Sequence, residues 1–91
     1  MARVIITAEV ENSSEWEKGF RTHQALFTDY TATGIYFTAT GENQIAILWE
    51  VRDLDKFLAL VDSPATADAM EFDGVKRDTV KIFQLDKEFD L

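Results

Sequence analysis

Hydrophobic positions recur along the chain with two different periods. Val4, Ile5 and Ile6 open a β-branched stretch that runs to about Val10 and predicts a strand. From Glu15 the period changes. At roughly 100° per residue, Trp16, Phe20, His23 and Phe27 fall within one arc flanked by Gly19, Leu26 and Tyr30, while Glu15, Lys18, Arg21, Thr22 and Asp29 lie mainly off it. This predicts an amphipathic helix of about four turns ending in "DYTATG", with Ser13 or Ser14 as its cap and Glu15 and Glu17 where the helix dipole favours acids. "GIYFTAT" predicts a second strand, "GENQ" a hairpin turn and "IAILWEV" a third strand. In "RDLDKFLALVD", Asp53 is placed to cap a helix whose stripe is Leu54, Phe57, Leu58 and Val61. "SPATADAMEFDG" restarts it, with Ser63 as cap, Pro64 in the first helical position and Gly74 closing. "DTVKIFQL" alternates as a fourth strand, and "DKEFDL" is a charged tail.

The order is β-α-β-β-α-β over a single domain, residues 1–91, which is the arrangement of a ferredoxin-like α+β fold. Right-handed crossovers place both helices on one face of a four-stranded antiparallel sheet. Alternation then assigns Ile5, Leu48 and Phe83 to the face without helices. Exposed apolar area costs about 25 cal/mol per Å2, and the commonest cover for such a face is the same face of a second copy. A homodimer held sheet to sheet is expected.

Composition narrows the partners. Nine basic residues against seventeen acidic ones give a formal net charge of −8, which repels a phosphate backbone and an anionic membrane surface. Nucleic acid and membrane are therefore not expected partners. The absence of cysteine removes disulfides, thiolate metal sites and a cysteine nucleophile, and suits a cytoplasmic protein. The N-terminal "MARVIITAEV" is too short and too polar for a membrane span and reads as a strand.

Three segments carry a resemblance: "VENSSEWEKGFRTHQ" after the first strand, "WEVRDLDKFLALVDSP" across the third strand and second helix, and "ADAMEFDGV" before the last strand. In this order and spacing the chain resembles the dimeric α+β barrel superfamily, near the antibiotic-biosynthesis monooxygenase and stress-responsive barrel groups. The resemblance implies two ferredoxin-like chains pairing their sheets into a barrel. In haem-degrading relatives a histidine of the later helical region holds the iron, and no histidine lies between Val51 and Val75 here. No cofactor is expected, and one histidine without cysteine gives no metal site.

His23 is the only histidine. A neutral imidazole can take a proton near pH 7, so His23 is the candidate catalytic base, with Glu50, Tyr30 and Tyr36 as possible orienters. The alternation of the third strand points Glu50 away from Trp49, which removes it if Trp49 faces the helices. Trp16, Phe20, Phe27, Phe37 and Trp49 are candidate linings of an apolar cleft between helix and sheet; core packing alone accounts for the same pattern. Gly19, in a helix interior at a cost of roughly 1 kcal/mol against Ala, points to a close approach or an open space beside it. Two functions follow. One is a homodimer of undetermined role that binds a small apolar or aromatic molecule between the first helix and the sheet. The other is a cofactor-independent monooxygenase or polyketide-cyclase-like enzyme with His23 as general base. A pocket of roughly a few hundred Å3 beside His23 favours the enzyme, and a filled core around a hydrogen-bonded His23 favours the binder.

Overall fold

The computed structural model describes residues 2–91. Strand β1 (Ala2–Val10) leads through α1 (Ser13–Phe20) and α2 (Gln24–Asp29) to β2 (Ala32–Ala39). A hairpin gives β3 (Gln44–Val51), followed by α3 (Leu54–Val61), α4 (Pro64–Phe72) and β4 (Val75–Gln84). The sheet order is β2-β3-β1-β4, and every neighbouring pair is antiparallel. This is the ferredoxin-like α+β fold, with each expected helix delivered in two pieces.

The faces of the sheet follow the alternation. Val4, Ile6, Ala8 and Val10 of β1 and Ile45, Ile47, Trp49 and Val51 of β3 are buried under the helices. They meet Trp16, Phe20, Tyr30 and Phe57 from the helical layer. On the opposite face, Ile5 pairs with both Leu48 and Phe83, and Tyr36 pairs with Leu48. Four apolar side chains therefore form one rung across all four strands, and its outer members Tyr36 and Phe83 are 60% and 51% exposed.

Three local expectations are corrected. The first helix is not continuous: it stops at Phe20 and resumes at Gln24. Thr22 N and Thr22 Oγ1 both donate to Gly19 O (3.0 and 2.6 Å), and His23 N donates to Phe20 O (3.2 Å). These three-residue closures tighten the last turn beyond a glycine that holds a helix poorly. The cap of α1 is Asn12, whose Oδ1 accepts from Glu15 N at 3.0 Å. Ser13 is used elsewhere, its hydroxyl donating to Thr40 O at 2.7 Å and so tying the helix start to the β2–β3 hairpin. Finally, β4 begins at Val75 rather than Asp78. Its register with β1 jumps between Thr7 and Glu9, and Thr79 Oγ1 fills the gap by accepting from Glu9 N and donating to Lys76 O. The bulge brings the charged "KRD" into a strand that alternation alone misses.

Asp53 and Ser63 cap α3 and α4 as expected, and Pro64 opens α4. Gly74, at φ +74°, adopts the left-handed conformation that closes a helix at little cost to glycine.

Candidate functional site

The break between α1 and α2 places His23. Its backbone, at φ −93° and ψ 25°, leaves the helical course, while its carbonyl starts α2 by accepting from Phe27 N. The imidazole Nε2 lies 2.9 Å from Asp73 Oδ2. Asp73 stands at the C-terminal end of α4, immediately before Gly74, fifty residues along the chain from its partner. Its side chain is 5% exposed against 21% for His23. The acid that orients the histidine is therefore Asp73, not one of the expected candidates. Glu50 lies on the helix-free face in an ion pair with Arg3 (3.4 Å), Tyr36 is on that same face, and Tyr30 spends its hydroxyl on Thr66 Oγ1.

Gly19 explains how the carboxylate fits. A methyl group at this position would overlap Asp73 Oδ1, so the missing side chain is what lets α4 bring a carboxylate against α1. In the sequence, Gly19 within a predicted helix was the one anomaly pointing here, and of its two explanations, a close approach or an open space, the structure shows the close approach. Burial pushes the Asp73 carboxyl above its ordinary value, and the charge and hydrogen bond of His23 oppose that rise without cancelling it. Burial likewise raises the Tyr30 phenol, against the hydrogen bond from Thr66.

The pair lines a cavity of about 70 Å3 between the helices and the sheet. Trp16, Phe20, Phe27 and Trp49 are among its walls. Phe37 is not: it packs edge-on against Trp16 and Phe20, with the Arg21 guanidinium over its ring, 5.1 Å from the ring centre. Phe27 meets the imidazole edge-on at 6.4 Å and Trp49 at 5.2 Å. The cavity falls short of the few hundred Å3 expected beside a catalytic histidine and His23 is hydrogen-bonded, yet the core around it is not filled. The walls are almost wholly apolar, yet two buried polar atoms have no hydrogen-bond partner among the described residues, Trp49 Nε1 and Asp73 Oδ1. Such atoms are few in native proteins, and Asp73 Oδ1 owes its place to the space that Gly19 leaves open beside it. No group of three or more His, Cys, Asp or Glu suited to a metal ion occurs among the described residues. None of the described helices is long and apolar enough to cross a membrane.

No family model and no curated protein matches the chain. Solved structures do. A protein provisionally named an antibiotic biosynthesis monooxygenase, from Bordetella bronchiseptica, superposes with a TM-score of 0.76 at 10% identity, covering 97% of each chain. SnoaB, a cofactor-independent oxygenase from Streptomyces nogalater, gives 0.72 at 14% identity, covering 99% of this chain and 95% of its own. The chain has their fold. A dimeric ferredoxin-like protein of unknown function from Thermobifida fusca gives 0.59 at 16% identity, covering 92% and 88%. At these identities the likeness is one of ferredoxin-like architecture, reached by a sequence that shares few residues with any of them.

Proposed function

We propose that this ferredoxin-like protein is a small-molecule enzyme that removes a proton from an activated carbon, with His23 as base and Asp73 holding it. The observation that carries this reading is the 2.9 Å contact between His23 Nε2 and a buried carboxylate at the edge of an apolar cavity. With Nε2–H donating to Asp73, the lone pair of Nδ1 is the basic site, and the carboxylate stabilises the imidazolium once the proton arrives. A packing histidine needs only a backbone group or water for its ring nitrogen. A second titratable side chain, itself desolvated, is the costlier choice. Proton removal is also a step that a cofactor-independent oxygenase and a cyclase have in common, and SnoaB, which shares this fold, is a cofactor-independent oxygenase.

The volume limits the substrate. About 70 Å3 is roughly half of the ~150 Å3 engineered cavity that admits benzene. A polyketide skeleton does not enter whole; a small compound, or the reactive end of a larger one, does. The working unit in this reading is a homodimer closed by the Tyr36–Leu48–Ile5–Phe83 rung, and the dimeric fold relative supports it.

The test is solvent deuterium incorporation into a panel of small enolisable ketones, followed by proton NMR. General-base catalysis contributes about 10²–10⁴-fold, so His23→Gln is expected to lower the exchange rate at least a hundredfold. Equal rates for the variant and the parent protein overturn the assignment.

A further inference from the structure

One side chain borders two spaces. Phe27, in the middle of α2, lines the cavity and also a groove of about 310 Å3 on the surface. Gln24 and Thr28 of α2 and residues 32–35 of β2 form the rest of that groove. Among the described residues, no other wall of the cavity touches it. The groove is about twice the ~150 Å3 that admits benzene, so a phenyl ring has room to turn into it. The Phe27 ring centre lies 5.2 Å from that of Trp49 and 6.4 Å from that of His23. Whatever passes Phe27 arrives beside the imidazole.

The helix that carries this ring is held at its ends and only lightly between them. His23, before it, is bound to Asp73, and Tyr30, after it, to Thr66. Thr31, at φ +61°, accepts from Arg52 N through its carbonyl (3.1 Å) and from Asp53 N through its hydroxyl (3.3 Å). The six residues between are too few for a helix that is stable alone, and none of them is buried. Local opening is cheapest where buried contacts are few. A turn of the Phe27 side chain therefore leaves the His23–Asp73 contact in place. We propose that Phe27 is the gate of the cavity, that the groove between α2 and β2 is its entrance, and that this ring limits the size of what reaches His23. The inference rests on the reading of the cavity as a site for carbon acids, and it names the residue that selects among them.

Acrylamide, a small uncharged quencher of indole fluorescence, is the probe, and Trp49 reports on it in a Trp16→Phe background. Trp49 is 3% exposed, so quenching is expected to be slow in this parent chain. Phe27→Ala should raise the quenching constant about fivefold or more. Phe20→Ala removes a ring 6.1 Å from that of Trp49 which lines the cavity but not the groove, and should change the constant by less than about twofold. Thr28→Phe, at an exposed position on the groove wall, fills the entrance and should lower the constant about twofold in the parent chain and in Phe27→Ala alike. In the parent chain that variant decides the matter even if Phe27→Ala folds poorly. Equal quenching in Phe27→Ala and Phe20→Ala, or quenching that Thr28→Phe leaves unchanged, overturns the proposal. In deuterium exchange, Phe27→Ala should raise the rate for acetophenone relative to acetone about tenfold, and an unchanged ratio overturns the size limit. Quenching requires no catalysis, so failures of the two readings separate. Quenching through the groove without exchange in any ketone removes the base and keeps the gate; exchange with quenching indifferent to the groove does the reverse.

Discussion

The two faces of the sheet are written in the same alternating code and end in opposite states. Under the helices, eight strand residues from Val4 to Val51 are each 6% exposed or less, and aromatic rings fill the space above them. On the other face an equally apolar rung, Tyr36, Leu48, Ile5 and Phe83, has only solvent over it in a single chain. The difference lies in the crossovers: right-handed connections send all four helical pieces to one side. The covered face holds a polar pair, His23 and Asp73, in a largely apolar setting, while the open face leaves its apolar rung without cover in a single chain.

The sharpest way to break this contrast is to damage the covered face. Phe57 is fully buried, with its ring 5.3 Å from that of Trp49 and 5.7 Å from that of Tyr30. Phe57→Ala is expected to cost about 3–5 kcal/mol in urea denaturation, a large part of the 5–15 kcal/mol typical of a whole domain. A loss below ~1 kcal/mol would show that the helical layer is not the stabilising side.

Sequence patterning reveals each face separately but not what joins distant elements. Strand β1 announced itself by its β-branched stretch, β3 and the later part of β4 by their apolar patterning, and the caps Asp53 and Ser63 by their position before helical segments. The break after Phe20 stayed hidden, because Trp16, Phe20, His23 and Phe27 keep helical spacing across it; the closures onto Gly19 and Phe20 that cause it leave no mark on periodicity. Asp73 stayed hidden for a different reason. In sequence it is an acid at the end of a helix before a glycine, and only the docking of α4 beside α1 makes it the partner of His23. Gly19 was the available signal, since a glycine that the pattern places inside a helix beside an aromatic arc points to a close approach or an open space. It did not say which, nor what approaches.

A smaller effect is expected from the open face. Leu48→Lys puts a charge in the middle of the rung, where the isolated chain is already wet. The stability of the single chain should change by no more than about 1 kcal/mol. The mass measured by light scattering after size-exclusion chromatography should fall from two chains to one. An unchanged elution volume and mass would place any interface elsewhere than the open face.

The smallest effect concerns the polar pair inside the covered face, and its sign is informative. Burial raises Asp73 above its unfolded value, so between the two values the folded chain holds a proton that the unfolded chain has released. The stability contributed by that proton is complete below the unfolded value of ~4, and it is lost as pH rises through the raised folded one. The parent protein should therefore lose stability relative to Asp73→Asn as pH increases across this window, with a slope no steeper than about 1.4 kcal/mol per pH unit, the limit for one proton. Urea denaturation at a series of pH values measures it. The other sixteen acidic residues are common to both chains, so their titration drops out of the difference to the extent that they do not sense Asp73. Repeating the comparison in a His23→Gln background sharpens it. The charge that helps pull Asp73 down is then gone, and the window should extend to higher pH. A difference that grows in favour of the parent protein as pH rises would mean that the ion pair outweighs burial, and that the covered face is less dry around His23 than its apolar walls imply.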